Sequence, residues 1–78
     1  MKRIKLIWDF RGIDAHAIAL HHEIHLNEFA KKESIPTTFC GTEAINNMYS
    51  IAYILVLETD MLKVRDALLP HRGEWEVI

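Results

Sequence analysis

Apolar and polar residues alternate from residue 3 to residue 10, with Ile4, Leu6, Trp8 and Phe10 on one side and Arg3, Lys5, Ile7 and Asp9 on the other. A period of two residues marks a strand, because successive side chains of an extended chain point to opposite faces. Arg11 and Gly12 break the alternation. Asp14 then stands where a side-chain oxygen can accept a first-turn backbone N–H, so a helix is predicted from that point. Residues 14 to 33 contain no Gly or Pro, are rich in Ala, Leu and Glu, and end with Lys31 and Lys32 at the negative end of the helix dipole. Pro36 holds Ile35 extended and closes the helix.

This long helix carries two apolar stripes. Ile18, Leu26 and Phe29 join Ala15, Ala19 and Ala30 on one side, and Ile13, Ala17, Leu20 and Ile24 form the other, so contact with one sheet would leave a stripe uncovered. Between residues 38 and 57 two extended runs flank Asn46 and Asn47, residues that tolerate the positive φ of a type I′ hairpin turn. Pairing Ile45 with Met48 sets an expected register. It places Thr38, Cys40, Thr42 and Ala44 on one face with Tyr49, Ile51, Tyr53 and Leu55, and Phe39, Gly41, Glu43 and Ile45 on the other with Met48, Ser50, Ala52, Ile54 and Val56. The second run of the hairpin is therefore apolar on both faces, the mark of a strand covered on both sides of its sheet.

Thr59 is placed to cap a short helix through Leu69, with Met61, Val64 and Leu68 at helical spacing and Pro70 as its stop. Residues 74 to 78 alternate again and supply a last strand. The order β-α-β-β-α-β within residues 1–78 predicts one α+β, ferredoxin-like domain: a four-stranded antiparallel sheet with two helices on one face. Two helices cover one face only, so the two-faced third strand leads to the expectation of a homodimer joined through its sheets.

Composition adds constraints on that outline. With 50% hydrophobic and 26% charged residues the chain is globular in character. A domain of 78 residues buries only about 60% of the surface its unfolded chain exposes, which adds to the case for a partner. The single cysteine, Cys40, forms no internal bridge, and a chain without a cysteine framework suits a reducing, cytoplasmic setting. No apolar run reaches the roughly 20 residues of a membrane span, and no membrane partner is expected. A formal net charge of −2 with scattered lysines and arginines gives no basic field for phosphate backbones, so nucleic acid is not an expected partner.

Three local strings carry a family resemblance: Lys5-Leu6-Ile7-Trp8-Asp9-Phe10 as a first strand, His25-Leu26 within the long helix, and residues 50 to 60 leading into a short helix and a glutamate-bearing last strand. Together they resemble small members of the dimeric α+β barrel superfamily, which includes the YCII-like and antibiotic-monooxygenase-like proteins. The resemblance implies a pair of ferredoxin-like subunits packed through their sheets, with a pocket between each sheet and its surroundings. In YCII-like proteins a helix histidine is proposed to work with an aspartate of the following strand. His25 matches the histidine by its following leucine, whereas residues 38 to 45 hold Glu43 as their only acid. Asp9-Phe10-Arg11-Gly12 also resembles the turn after the first strand of ACT-like regulatory domains, which bind amino acids at subunit interfaces. An RNA-recognition motif is rejected, because Tyr49-Ser50-Ile51-Ala52-Tyr53 lacks its glycine and basic residues. No CxxC of a copper chaperone and no Gly-rich anion loop of an acylphosphatase is present.

The candidate chemistry lies on two elements. Four of the five histidines, His16, His21, His22 and His25, fall on the long helix. His21, His25 and Glu28 share a polar stripe on which three side chains can converge on one divalent ion, although such a stripe is more commonly a solvated face. His22 falls in the apolar stripe, where a core or interface histidine is the commoner role; with His25 it is the candidate for catalysis. His71, in a loop, has no evident partner. On the sheet, Tyr53, Tyr49, Cys40 and Thr42, with Lys5 and Asp9 of the first strand, form the expected ligand-binding set: hydroxyls and small polar groups around an apolar floor. The same face is equally compatible with a filled dimer interface. The functional expectation is a cytoplasmic homodimer binding a small, partly apolar molecule near the sheet interface without a cofactor, with enzymatic activity left open. The alternatives are a protein-interaction or ACT-like regulatory module and, third, divalent-metal binding by the helix histidines.

Overall fold

A computed structural model describes residues 2–36 and 39–77, and the side chains of residues 76 and 77 fall outside that description. The chain runs β1 (Lys2–Arg11), α1 (Ala15–Lys32), β2 (Phe39–Asn46), β3 (Tyr49–Leu57), a 3-10 turn (Glu58–Asp60), α2 (Met61–Leu68) and β4 (Arg72–Val77). The sheet order is β2-β3-β1-β4 with every neighbour antiparallel. This is a ferredoxin-like α+β arrangement, as the alternation of strand and helix periods predicted. Thr38 and Ile78, assigned to strands from sequence, lie outside the described residues.

Both helices pack on one face. Ile4, Leu6 and Trp8 of β1 and Ala52, Ile54 and Val56 of β3 form a buried floor, on which Ala19, Leu26 and Ala30 of α1 and Val64 of α2 rest. The small residues let α1 approach the sheet closely. The opposite stripe of α1 stays outside, with Leu20 46% and Ile24 56% exposed; Ile13, assigned to that stripe from sequence, lies before the helix and is exposed. Ile18, grouped from sequence with Leu26 and Ala19, is also exposed.

Three local expectations are corrected. The hairpin turn is not type I′, since Ser34 and Leu69 are the positive-φ non-glycine residues among those described. Instead Asn46 pairs with Tyr49 and its Oδ1 accepts the Met48 N–H at 2.8 Å, while Ala44 pairs with Ser50 and Ile45 is the extra residue of a β-bulge. That one inserted residue slips β2 by one position relative to the expected register, and every side chain of β2 before the bulge changes face. Cys40 and Thr42 therefore stand opposite Ile54 and Ala52 on the helix side, and Phe39 and Gly41 stand opposite Leu55 and Tyr53 on the open side. Second, neither predicted helix cap forms as drawn: Asp14 occupies the N-cap of α1 without a side-chain bond, and α2 starts at Met61, beyond Thr59.

The third correction concerns the end of α1. Ile35 N–H donates to the Ala30 carbonyl at 2.9 Å and Ser34 N–H to the Lys31 carbonyl at 3.3 Å, the two bonds of a Schellman motif. Ser34 takes the left-handed conformation there (φ 54°), and Ile35 is buried against the core. The helix thus ends by its own capping bonds before Pro36 acts. No helix among the described residues is long and apolar enough to cross a membrane.

Candidate functional site

The open face of the sheet carries a connected set of polar and aromatic side chains. Asp9 of β1 stands at its centre. Arg72 of β4 clamps its carboxylate, with Nε donating to Oδ2 and Nη2 to Oδ1, both at 3.2 Å, and the Tyr49 hydroxyl donates to Oδ1 as well. Arg72 holds the Asp9 carboxyl below the ordinary carboxylate range; burial opposes this, and Tyr49 and His71 add to it. The cations lie over the rings of this face: the Arg11 guanidinium is 4.0 Å from the Tyr49 ring centre and the Lys5 ammonium 4.3 Å from that of Tyr53. Such contacts contribute about 0.5–1 kcal/mol each where solvent reaches them.

Two features let Tyr53 lie flat. Gly41 sits opposite it on β2, where a β-carbon would fall 2.6 Å from the Tyr53 hydroxyl oxygen. The Phe39 ring then packs at 5.9 Å between centres, while Phe39 itself remains 55% exposed. Beneath this layer Ile7, Ile51 and Leu55 are buried, Ile7 to 1% exposure. Side chains of the same sheet therefore cover the apolar floor on this face of β3. What remains open is the upper surface of the aromatic and cationic layer.

The expected ligand set is thus divided. Tyr49, Tyr53, Lys5 and Asp9 come together on the open face, with Arg11, Arg72 and Phe39 beside them. Cys40 and Thr42 are on the other side, for the reason of register given above. Thr42 Oγ1 donates to Glu23 Oε1 at 2.7 Å, with the Ala19 carbonyl at 3.3 Å, a contact that ties β2 to α1. Cys40 is buried, and burial together with the nearby Glu23 charge pushes its thiol up to about 11. A thiol in that state is an inert core group.

The histidines divide similarly. His22 lies between Trp8 and Phe10, with ring centres 4.8 and 5.5 Å away, and its buried Nε2 has no hydrogen-bond partner among the described residues. Burial first, then the neighbouring His25, His71 and His21, lowers its pKa. His25 lies further out, with Nδ1 3.2 Å from Glu28 Oε1 and Nε2 3.1 Å from His21 Nε2. It is exposed, and the contacts shown for its two ring nitrogens, Glu28 and His21, both belong to α1. Glu28 meets the far nitrogen of His25, so His21, His25 and Glu28 do not converge on a point, and no group of three or more His, Cys, Asp or Glu among the described residues does.

His71 does have a partner. Its Nδ1 accepts the Asp9 backbone N–H at 2.8 Å, just beyond the last β1–β4 pair, Ile7 with Arg72. The imidazole satisfies a donor that β4 does not reach, and it sets Asp9 from the backbone side. Nothing local in the sequence marks this bond, which joins residues 62 apart.

Sequence reasoning also missed a groove between α2 and β4. It measures about 340 Å³ and is lined by Ile4, Leu6, Met61, Arg65, Gly73 and Trp75 among others. It exists because α2 is only eight residues long and β4 presents a glycine opposite Leu6, so the end of the sheet is thinly covered. That volume is at the lower limit for small-molecule sites. No family model, curated protein or solved structure matches the chain.

Proposed function

We propose that the chain is a cytoplasmic homodimer that binds a small, partly apolar molecule on the open face of its sheet, in a chamber that a second copy closes. The observation that carries this reading is the layer on that face: Tyr49 and Tyr53, each with a cation stacked on it, flank the Asp9–Arg72 pair over a buried apolar floor. Both helices lie on the other side, so one copy alone leaves this surface as an open platform. The rings offer flat apolar area, and Arg11 and Lys5 offer donors for an anionic or carbonyl group. The fitting ligand is a small planar or aliphatic molecule bearing a carboxylate. The set contains no activated nucleophile, and the reading assigns no reaction.

A thermal-shift screen with small aromatic and aliphatic carboxylates tests the assignment. Compounds that raise the unfolding temperature should lose their effect in Tyr53→Ala and Arg11→Ala and keep it in Trp75→Ala. If no compound stabilises the chain, or if Trp75→Ala alone removes the effect, the open face is not the site, and the second outcome places the ligand in the α2–β4 groove.

A second reading, a protein-interaction or ACT-like regulatory module, is favoured by one observation: the outward side of α1, where Leu20 and Ile24 are exposed, with Ile13 exposed in the turn that precedes the helix. Isolated exposed apolar residues are ordinary, but Leu20 and Ile24 are one helical turn apart and share a face of α1. If that stripe is the working surface, Leu20→Glu and Ile24→Lys abolish association with a partner and leave carboxylate binding intact.

A further inference from the structure

A different observation supports a second site. We propose that His21 and His25 on the outer side of α1 bind a late first-row divalent cation, Zn(II), Ni(II) or Cu(II), with Glu28 as the outer partner that orients His25. The Nε2 atoms of the two histidines are 3.1 Å apart. Two metal–nitrogen bonds of 2.0–2.1 Å, meeting at angles between square-planar and tetrahedral, set their nitrogens roughly 2.9–3.4 Å apart. The helix backbone, with one turn between residues 21 and 25, already holds the pair at ligand separation.

Protonation follows from the partners. The Glu28 carboxylate only accepts, so Nδ1 of His25, 3.2 Å away, carries a proton and Nε2 faces His21. One further proton lies between the two Nε2 atoms. A divalent cation takes the place of that proton, which passes to Nδ1 of His21 or to solvent, and each Nε2 lone pair then forms one bond to the metal. Glu28 on the far nitrogen of a ligating imidazole is the usual outer-sphere arrangement, which fixes the tautomer and the ring orientation. The side chains of His25 and Glu28 are 60% and 68% exposed, so a hydrated ion approaches freely and keeps water in its remaining positions. Two imidazole nitrogens with no protein oxygen ligand select zinc, nickel and copper over magnesium and calcium.

Calorimetric titration of the full chain with zinc chloride, and separately with nickel chloride, tests this site. The expected result is one ion per chain. Binding should be lost in His21→Ala and in His25→Ala, weakened about 10-fold in Glu28→Ala, and unchanged in His16→Ala, whose ring faces Ser50 instead. Circular dichroism of each variant separates lost binding from lost folding. Nitrogen-15 spectra of the imidazoles should show zinc shifting Nε2 of residues 21 and 25 while Nδ1 of His25 stays protonated. Absence of heat with both metals, binding that survives His21→Ala, or coordination through Nδ1 of His25 would each overturn the proposal.

Discussion

The ring of Tyr53 lies across Gly41, so close that a β-carbon on residue 41 would sit 2.6 Å from its hydroxyl oxygen and 2.7 Å from Cζ. The glycine is what allows an aromatic ring to lie down on the open face and take Lys5 above it. Gly41→Ala should displace the rigid ring and destabilise the chain by about 1–3 kcal/mol, the usual cost of overpacking. Gly73→Ala meets the flexible ends of the Ile4 and Leu6 side chains, at 3.1 and 3.4 Å, and should cost less. Denaturant unfolding of the two variants checks the order, and equal losses would mean that Tyr53 is not held in this way.

Two left-handed residues give predictions of the opposite sign. Leu69 (φ 49°) ends α2 and is 74% exposed, so its side chain gains little from burial while its backbone sits where a β-carbon is disfavoured. Leu69→Gly should stabilise the chain by about 0.5–1 kcal/mol, and Ser34→Gly in the Schellman motif of α1 by a similar amount. For a domain of this size each should raise the midpoint temperature by roughly 2–8 °C. An unchanged or lower midpoint in Leu69→Gly would show that the leucine is held there by contacts that matter.

Acid should weaken the fold in two stages. His22 has a pKa below its unfolded value, mainly through burial, so it favours the folded state fully above about 6.5 and loses that contribution as pH falls below it. Asp9, lowered mainly by Arg72, adds stability that is present above its ordinary value of 3.8 and lost as pH falls further. His22→Leu removes the first stage and the buried, unpaired Nε2 together, so it should be neutral to about 1 kcal/mol stabilising at pH 7. Midpoint temperature measured from pH 8 to pH 3 reads both stages; a His22→Leu profile parallel to the parent between pH 7 and pH 5 would rule out His22 as the source of the first.

Cys40 should resist thiol reagents in the native chain, since burial and Glu23 push its thiol up to about 11. Labelling at pH 7.5 should proceed only through unfolding and accelerate in denaturant. Stoichiometric labelling within seconds under native conditions would show an accessible thiolate instead.

The elements were legible because long periodic runs announce themselves: the alternation over residues 3 to 10 became β1, and the Gly- and Pro-free segment after Asp14 became α1. The face of β2 was not legible. A bulge at Ile45 is one residue with no change of composition around it, yet it exchanges Cys40 and Thr42 for Phe39 and Gly41 on the open face. Two of the six residues of the ligand set read from sequence therefore stand on the other side of the sheet, while Tyr49, Tyr53, Lys5 and Asp9 remain together. The contacts that complete the site, Arg72 with Asp9 and His71 with the Asp9 N–H, join the two ends of the chain through sheet pairing that no local pattern encodes. His21 and His25 were legible as a pair from their spacing of one turn, and the place of Glu28 behind His25 required the geometry.

We propose that the aromatic and cationic face of the sheet works as a closed chamber made by two chains. Native mass spectrometry of the full chain at micromolar concentration tests it most directly. The expected species has twice the 9.1 kDa chain mass, reduced to one chain by Tyr53→Glu but not by Leu62→Glu on the exposed side of α2. A parent chain found only at 9.1 kDa, or a dimer that Tyr53→Glu leaves intact, would contradict it.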